Sequence, residues 1–330
     1  MTKAEWTIDG SGMTLCILHL GSEKTGTSSI QKYFGAHRDA LLNEGLWYPR
    51  SFTNAGGHVH LNLSTAALEG TLKDDSAAVV EFRKEHRRAK KAGAKSVLFS
   101  SEFFHSELRD TQAVQRLKTF LSHFFDRFQL VYYARRQDQM LASMHSTAVR
   151  GAWTSDPDAL SVYPSKGHYY FDHFSVCNLW SAQFGRENLV CRVYERDKLL
   201  NGDIIDDFSD VLGLGVDASR PRVASNESLS FETMSALLLL NGSKHKDNKE
   251  LRRKLIAMGA KRNGKRVPML TKADAQQFQN RFAESNAKFF ASYIDPSLAT
   301  GFSTELDGFP DVIPKLSADS ILEFIFGRKL

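Results

Sequence analysis

The chain has no run of 18 apolar residues, so no membrane-spanning helix is expected. It has only three cysteines, Cys16, Cys177 and Cys191, too few for a disulfide framework. Cys16 and Cys191 fall inside apolar strand patterns, where buried free thiols are expected, and a reducing cytoplasm is the natural compartment. The polar residues 1–12 lack the apolar stretch of a targeting peptide. Internal repeats and low-complexity tracts are missing. Evenly spread basic charge is missing too. The net charge is +5, yet residues 244–266 hold ten Lys/Arg against two Asp/Glu, which leaves the remainder at −3. A second basic run, 83–95, has seven Lys/Arg and one Glu. Such local concentration argues against nucleic-acid binding as the main role.

What is present suits a globular chain with a sizeable core: 330 residues, 42% hydrophobic and 25% charged. Four apolar runs predict strands over 14–20, 95–100, 128–134 and 188–194. Helical periodicity falls between them, over 28–43, 76–92, 111–125, 137–149 and 172–184. Strands alternating with helices predict an α/β fold with a parallel sheet flanked by helices, and ligands beyond the strand C-termini. After residue 215 the chain reads as mainly helical, with helices over 231–241, 249–258 and 272–293.

The stretch His19-Leu-Gly-Ser-Glu-Lys-Thr-Gly-Thr-Ser-Ser29 joins the first strand to the first helix. Gly21 and Gly26 let the backbone curl. A helix N-terminus presents N–H groups without internal partners and partial positive charge, and Lys24 adds a full charge. This unit predicts a site for a phosphate-like group. Against the Walker A pattern, Gly21, Gly26 and Ser28 stand in place, but Thr27 occupies the lysine position and the lysine has moved to Lys24. Ordinary ATP chemistry is therefore disfavoured. A second anion-binding element follows the strand over 128–134. Arg135 and Ser143 can converge on one side of a strand-helix junction, and an arginine fork with a hydroxyl suits a phosphate monoester. Arg136 is read as a solvated residue at the helix start.

The order H-x-G-x-x-K-T-G-T-S-S closely resembles the 5′-phosphosulfate loop of sulfotransferases that use 3′-phosphoadenosine 5′-phosphosulfate (PAPS). Arg135 and Ser143 match that family's Arg-x7-Ser grip on the 3′-phosphate, although Arg136-Gln137 stands where the family often has Asp-Pro. The resemblance spans most of residues 14–230. It implies the P-loop NTPase-like sulfotransferase fold as one domain over 1–330. In it, 14–215 form the nucleotide-binding core and the mainly helical 216–330 packs on that core. It implies PAPS as co-substrate, bound by Gly21, Lys24, Thr25, Gly26, Thr27, Ser28, Arg135 and Ser143. Asn226 and Ser228, in a segment like one of bacterial sulfotransferases, can add hydrogen bonds to phosphate or ribose, or cap the helix at Phe231, a cap for which Ser230 competes. Tyr194-Glu195 and Leu199 resemble the family's Tyr-Glu-x-Leu element with an insertion before the leucine, and read equally as a strand end with capping.

Sulfuryl transfer to an alcohol needs a base. Glu102, after the strand over 95–100, is well placed for this; holding Mg²⁺ and capping a helix are its other readings. His58 and His60, in a Gly-containing loop, are further candidates for base or acceptor contact, and they lack a third partner for a metal. His105 is a weaker candidate, and His19 is read as packed beneath the loop. Ser100 or Ser101 can help position nucleotide or acceptor. The basic segment 244–266 reads either as a solvated helix face or as a lid or cradle for anions, with Lys261, Arg262, Lys265 and Arg266 around Gly264 in a loop. The expected activity is transfer of the sulfuryl group to a hydroxyl of a saccharide or other small metabolite, with Lys24 catalytic and no metal, nucleic acid or membrane segment involved. Trp47, Tyr48, Trp153, Tyr163, Tyr169 and Tyr170 offer rings for stacking on sugar, though most aromatics belong to cores. A P-loop kinase or other NTPase, and a non-catalytic PAPS-binding protein, are the alternatives. Acceptor identity and oligomeric state are not legible.

Overall fold

The computed structural model describes residues 14–55, 57, 59–215, 221–222, 229–262, 265–315 and 323. Five strands, β1 (Leu15–Leu20), β2 (Leu46–Trp47), β3 (Ser96–Ser101), β4 (Arg127–Ala134) and β5 (Leu189–Val193), form one parallel sheet in the order β2-β3-β1-β4-β5. In chain order the helices are α1 (Thr27–Ala36), α2 (Arg38–Asn43), α3 (Leu61–Glu69), α4 (Ala77–Lys91), α5 (Glu102–Ser106), α6 (Thr111–Ser122), α7 (Gln137–Arg150), α8 (Tyr163–Lys166), α9 (His173–Phe184), α10 (Ile204–Val211), α11 (Phe231–Asn241), α12 (Lys249–Arg262), α13 (Lys272–Asn280) and α14 (Ala283–Tyr293). The fold is mixed α/β, as the alternating pattern predicts. Among the described residues, no helix is long and apolar enough to cross a membrane.

The chain divides into two compact units. One comprises the residues up to Arg135 with Asp172–Ser225 and Glu284–Phe302; the other comprises Arg136–Phe171, Asn226–Ala283 and the residues from Ser303 onward.

The first unit holds the sheet. Its central strands are buried on both faces, as parallel strands covered by helices must be. Ile17, Leu98, Val131 and Tyr133 pack with Ile30 and Phe34 of α1 and with Ile204 and Phe208 of α10. On the opposite face Phe99 meets Phe82 of α4, and Tyr132 meets His173 of α9. The register sets Leu20 beside Ser101, and His19 beside both Ser100 and Val131. The chain therefore leaves β1, β3 and β4 at one rim, with β1 in the middle.

The second unit is helical and built along α7. Met140, Leu141 and Met144 pack with Tyr170, Phe171, Phe278 and Phe282. Val149 packs with Leu237, Leu240, Leu255 and Met269. Arg252 fixes α12 by donating to Asn241 Oδ1 at 2.7 Å and to the Val149 carbonyl at 3.2 Å. Arg253 and Lys254 are exposed, and Lys254 pairs with Glu250 one turn back. Lys261 and Arg262, expected in a loop, belong to α12 instead, and Gly264 lies outside the described residues.

Two expected helices are each broken in two. The periodicity over 28–43 runs through α1 and α2, which join at His37 with φ −110°. The periodicity over 272–293 runs through α13 and α14. A short break keeps the apolar stripe nearly in phase, so the pattern alone cannot reveal it.

Candidate functional site

The loop between β1 and α1 is braced from within. The Gly21 N–H donates to the Ser101 carbonyl at 3.1 Å, which ties the loop to the end of β3. Gly21 must be glycine, because a Cβ there would lie 2.7 Å from Thr27 Cγ2 and 3.1 Å from the Ser101 oxygen. Gly26 has φ +78°, and a Cβ there would meet Ile204 at 3.1 Å and the Tyr194 hydroxyl at 3.3 Å. The Thr25 hydroxyl donates to the Ser22 carbonyl at 2.6 Å, and the Thr27 hydroxyl reaches the same oxygen at 3.2 Å. Both threonines are buried. These hydroxyls hold the turn. Ser28 is exposed.

Gly26 precedes α1 without any side-chain cap, and the first turn carries no acidic residue. Ser101, Asp110, Asp172, Asp203, Ser230 and Thr271 cap their own helices with side-chain oxygens, whereas α2, α3, α4, α7 and α8 share with α1 the lack of such a cap. Ser22, which the motif gave no reason to single out, is fully buried with its Oγ unpartnered among the described residues. Glycine cradle, uncapped helix and orphaned hydroxyl together fit a loop made to receive an anion.

Lys24 is the apex of this loop and takes a left-handed conformation, φ 71°. Lysine enters that region at a cost of about 1–2 kcal/mol, so something must hold it there. The Arg135 side chain does so: Nη1 donates to the Lys24 carbonyl at 2.6 Å. The guanidinium also stands 5.5 Å from the centre of the Tyr194 ring. Arg135 and Tyr194 come from the ends of β4 and β5, and the Tyr194 N–H donates to the Ala134 carbonyl at 2.7 Å. The Arg135 side chain thus reaches the Lys24 backbone directly, a contact that sequence spacing could not reveal.

Glu102 follows β3 directly, one peptide beyond the Ser101 carbonyl that receives Gly21. It opens the short helix α5, whose cap is supplied by Ser101 Oγ accepting from the Phe103 N–H at 3.2 Å. Glu102 is partly exposed at the same rim as the loop. Ser100 and Ser101, expected near ligand, are instead buried: Ser100 Oγ lies 2.8 Å from His19 Nδ1, and Ser101 Oγ accepts from Ser64 at 3.3 Å.

The histidines divide clearly. His60, expected as a base or acceptor contact, is fully buried. Its Nδ1 accepts from the Ser100 N–H at 2.9 Å, and its Nε2 faces the Pro49 carbonyl at 3.1 Å. Both ring nitrogens are committed and burial pushes its pKa down to about 3, so it is a packed histidine and not an open base. His105 is likewise buried. His19 is buried against Phe208, its pKa lowered to about 3 by desolvation. His58 lies outside the described residues, as do Asn226 and Ser228; Ser230 takes the cap of α11.

Beyond β4 the chain enters the second unit. Arg136, expected to be solvated, is 1% exposed and pairs with the equally buried Asp138 at 2.6 Å. Ser143 lies on the second turn of α7, where its carbonyl accepts from Thr147 Oγ at 3.1 Å. Of the rings considered for sugar stacking, Trp47, Tyr48 and Tyr170 are core, whereas Trp153 is 77% exposed.

No family model matches the chain. An uncharacterized protein of Archaeoglobus fulgidus is 25% identical over 169 residues, which are 50% of this chain. The match spans only 45% of that relative's length. Two solved structures are similar to this chain at a low level. A sulfotransferase from Alicyclobacillus acidocaldarius is 14% identical, with 74% of this chain and 96% of that one covered and a TM-score of 0.39. The sulfotransferase domain from the Curacin biosynthetic pathway is 12% identical, with 82% of this chain and 98% of that one covered and a TM-score of 0.37.

Proposed function

We propose that this chain is a PAPS-dependent sulfotransferase acting on a hydroxyl acceptor. One observation carries the reading: Lys24 stands at the apex of a glycine-cradled loop opening an uncapped helix, and Arg135 holds that apex. A nucleotide with phosphate at both its 5′ and 3′ positions needs two cationic contacts. A guanidinium offers five N–H donors, enough to hold the Lys24 carbonyl and a phosphate together.

PAPS brings the sulfuryl group, and the acceptor oxygen attacks sulfur as the bond to the bridging phosphate oxygen breaks. The residues of the chain supply position, charge and a proton acceptor. The loop N–H groups and the α1 terminus bind the 5′-phosphate. Lys24 stabilises the charge that grows on the bridging oxygen, the kind of preorganised contact that supplies most of a barrier reduction. Glu102 takes the proton from the acceptor hydroxyl. The acceptor class is a saccharide or other small hydroxylated metabolite.

The test is an acceptor panel with radiolabelled PAPS. The wild-type chain transfers label to a hydroxyl compound. Lys24→Ala lowers that transfer by about 10²-fold or more, the scale of a lost transition-state donor. Glu102→Gln lowers turnover by about 10²-fold or more with nucleotide affinity nearly intact. A Glu102→Gln variant of full activity would move the base elsewhere, and a Lys24→Ala variant of full activity would overturn the reading.

A further inference from the structure

The α9 histidine, His173, has no place in the loop or in the scheme above, yet its hydrogen bonds end at the arginine that holds the loop. It is fully buried, the first residue of α9, and ringed by Phe289 and Phe302 at 5.6 Å. Its Nδ1 lies 2.7 Å from the Tyr132 hydroxyl, and its Nε2 lies 2.8 Å from the Arg135 carbonyl. A carbonyl can only accept, so Nε2 carries the proton and Nδ1 accepts from the Tyr132 O–H. Both partners sit on one stretch of chain: Tyr132 within β4, Arg135 just past its end.

The consequence is mechanical. Ala134 is the last residue of the ladder. Just beyond it, His173 holds the Arg135 carbonyl, and so limits how the Arg135 backbone can turn. The guanidinium, projecting from the same residue, reaches the Lys24 carbonyl at 2.6 Å. The path Tyr132 to His173 to Arg135 to Lys24 is continuous within the sheet-bearing unit.

We infer that His173 is a positioning residue: by holding the Arg135 carbonyl it aims the guanidinium, and so sets the preference for a nucleotide with a second, 3′-phosphate. This rests on the PAPS reading above. The reason a histidine stands here is that one rigid ring can accept from a hydroxyl on one side and donate to a carbonyl on the other. Glutamine can reproduce the donation to the carbonyl; leucine can reproduce only the volume.

The experiment is calorimetry on the full chain with two probes, adenosine 3′,5′-bisphosphate and adenosine 5′-monophosphate. The wild-type chain prefers the bisphosphate. His173→Leu lowers that preference at least tenfold while affinity for the monophosphate changes less than threefold. His173→Gln restores most of the preference. In an Arg135→Ala background His173→Leu has no further effect on the ratio, because the histidine acts through that arginine. Tyr132→Phe, which removes only the hydroxyl, keeps the measurement available if the leucine variant does not fold, and it lowers the preference at least threefold. A wild-type chain without preference for the bisphosphate overturns the PAPS reading, and this inference with it. A discriminating wild type whose ratio is unchanged in His173→Leu, or in Tyr132→Phe where the leucine variant does not fold, overturns the inference alone.

Discussion

Two neighbouring arginines divide the rim at the end of β4 from the start of α7. Arg135 is partly exposed and its side chain ends on a backbone carbonyl of the anion loop. Arg136 is sealed, with Nε and Nη2 both donating to the Asp138 carboxylate and a further bond to the Glu305 carbonyl. The residue type is the same and the positions are adjacent, yet the partners differ in kind. A carboxylate two residues away neutralises Arg136 and takes it into the interior. Arg135 donates instead to the Lys24 carbonyl and lies against the Tyr194 ring, at the loop that carries Lys24.

The largest effect that should separate the two belongs to Arg136. Arg136→Ala leaves the Asp138 carboxylate buried without its cation, which costs about 3–5 kcal/mol. Urea unfolding checks this, and the double replacement Arg136→Met with Asp138→Leu should recover most of the loss, since a buried pair is often worth no more than apolar packing. Single-variant stability equal to wild type would mean that the two arginines are not different in kind.

Arg135→Ala should do the reverse. Affinity for adenosine 3′,5′-bisphosphate falls by about 10- to 100-fold, the scale of a hydrogen bond to a charged group at about 1.5–3 kcal/mol. Stability moves by about 1 kcal/mol, as for most partly exposed sites. Calorimetry and urea unfolding on one preparation read both. If stability collapses while affinity holds, Arg135 is a structural arginine like its neighbour.

A further test runs through pH. Burial holds His19 and His60 at about 3 and His173 at about 4. In the unfolded chain each titrates near about 6.5, so the unfolded state binds more protons between those values. Stability is therefore fully present above about 6.5 and is lost as pH falls toward 4. Unfolding curves at pH 7 and pH 5 should show lower stability at the acid end. Equal stability at both would mean these rings are not held neutral.

The sheet was largely legible from sequence. Continuous apolar runs bounded by polar residues locate β1, β3, β4 and β5 to within a residue or so, because a doubly covered parallel strand must be apolar throughout. The missing strand, β2, has only two residues, Leu46 and Trp47, too few for any period. Helix α3 begins just past a glycine-rich, histidine-bearing loop and gave no start signal, because its N-cap His60 carries no side-chain cap. Local chemistry also singles out the loop glycines and Lys24. The contacts between distant residues did not show. Arg135 and Lys24 are 111 residues apart, and His173 lies 38 residues from the carbonyl it holds. Arg136 misled for the same reason: a charged residue at a helix start is ordinarily solvated, and only packing shows that Asp138 takes it inside.

The central claim is that Lys24 and Arg135 serve a nucleotide carrying a 3′-phosphate and not a triphosphate. Calorimetric titration of the wild-type chain with adenosine 3′,5′-bisphosphate and with ATP tests it most directly. The bisphosphate should bind more tightly, by about tenfold or more, the worth of one charge-assisted contact. Equal or tighter binding of ATP would contradict it.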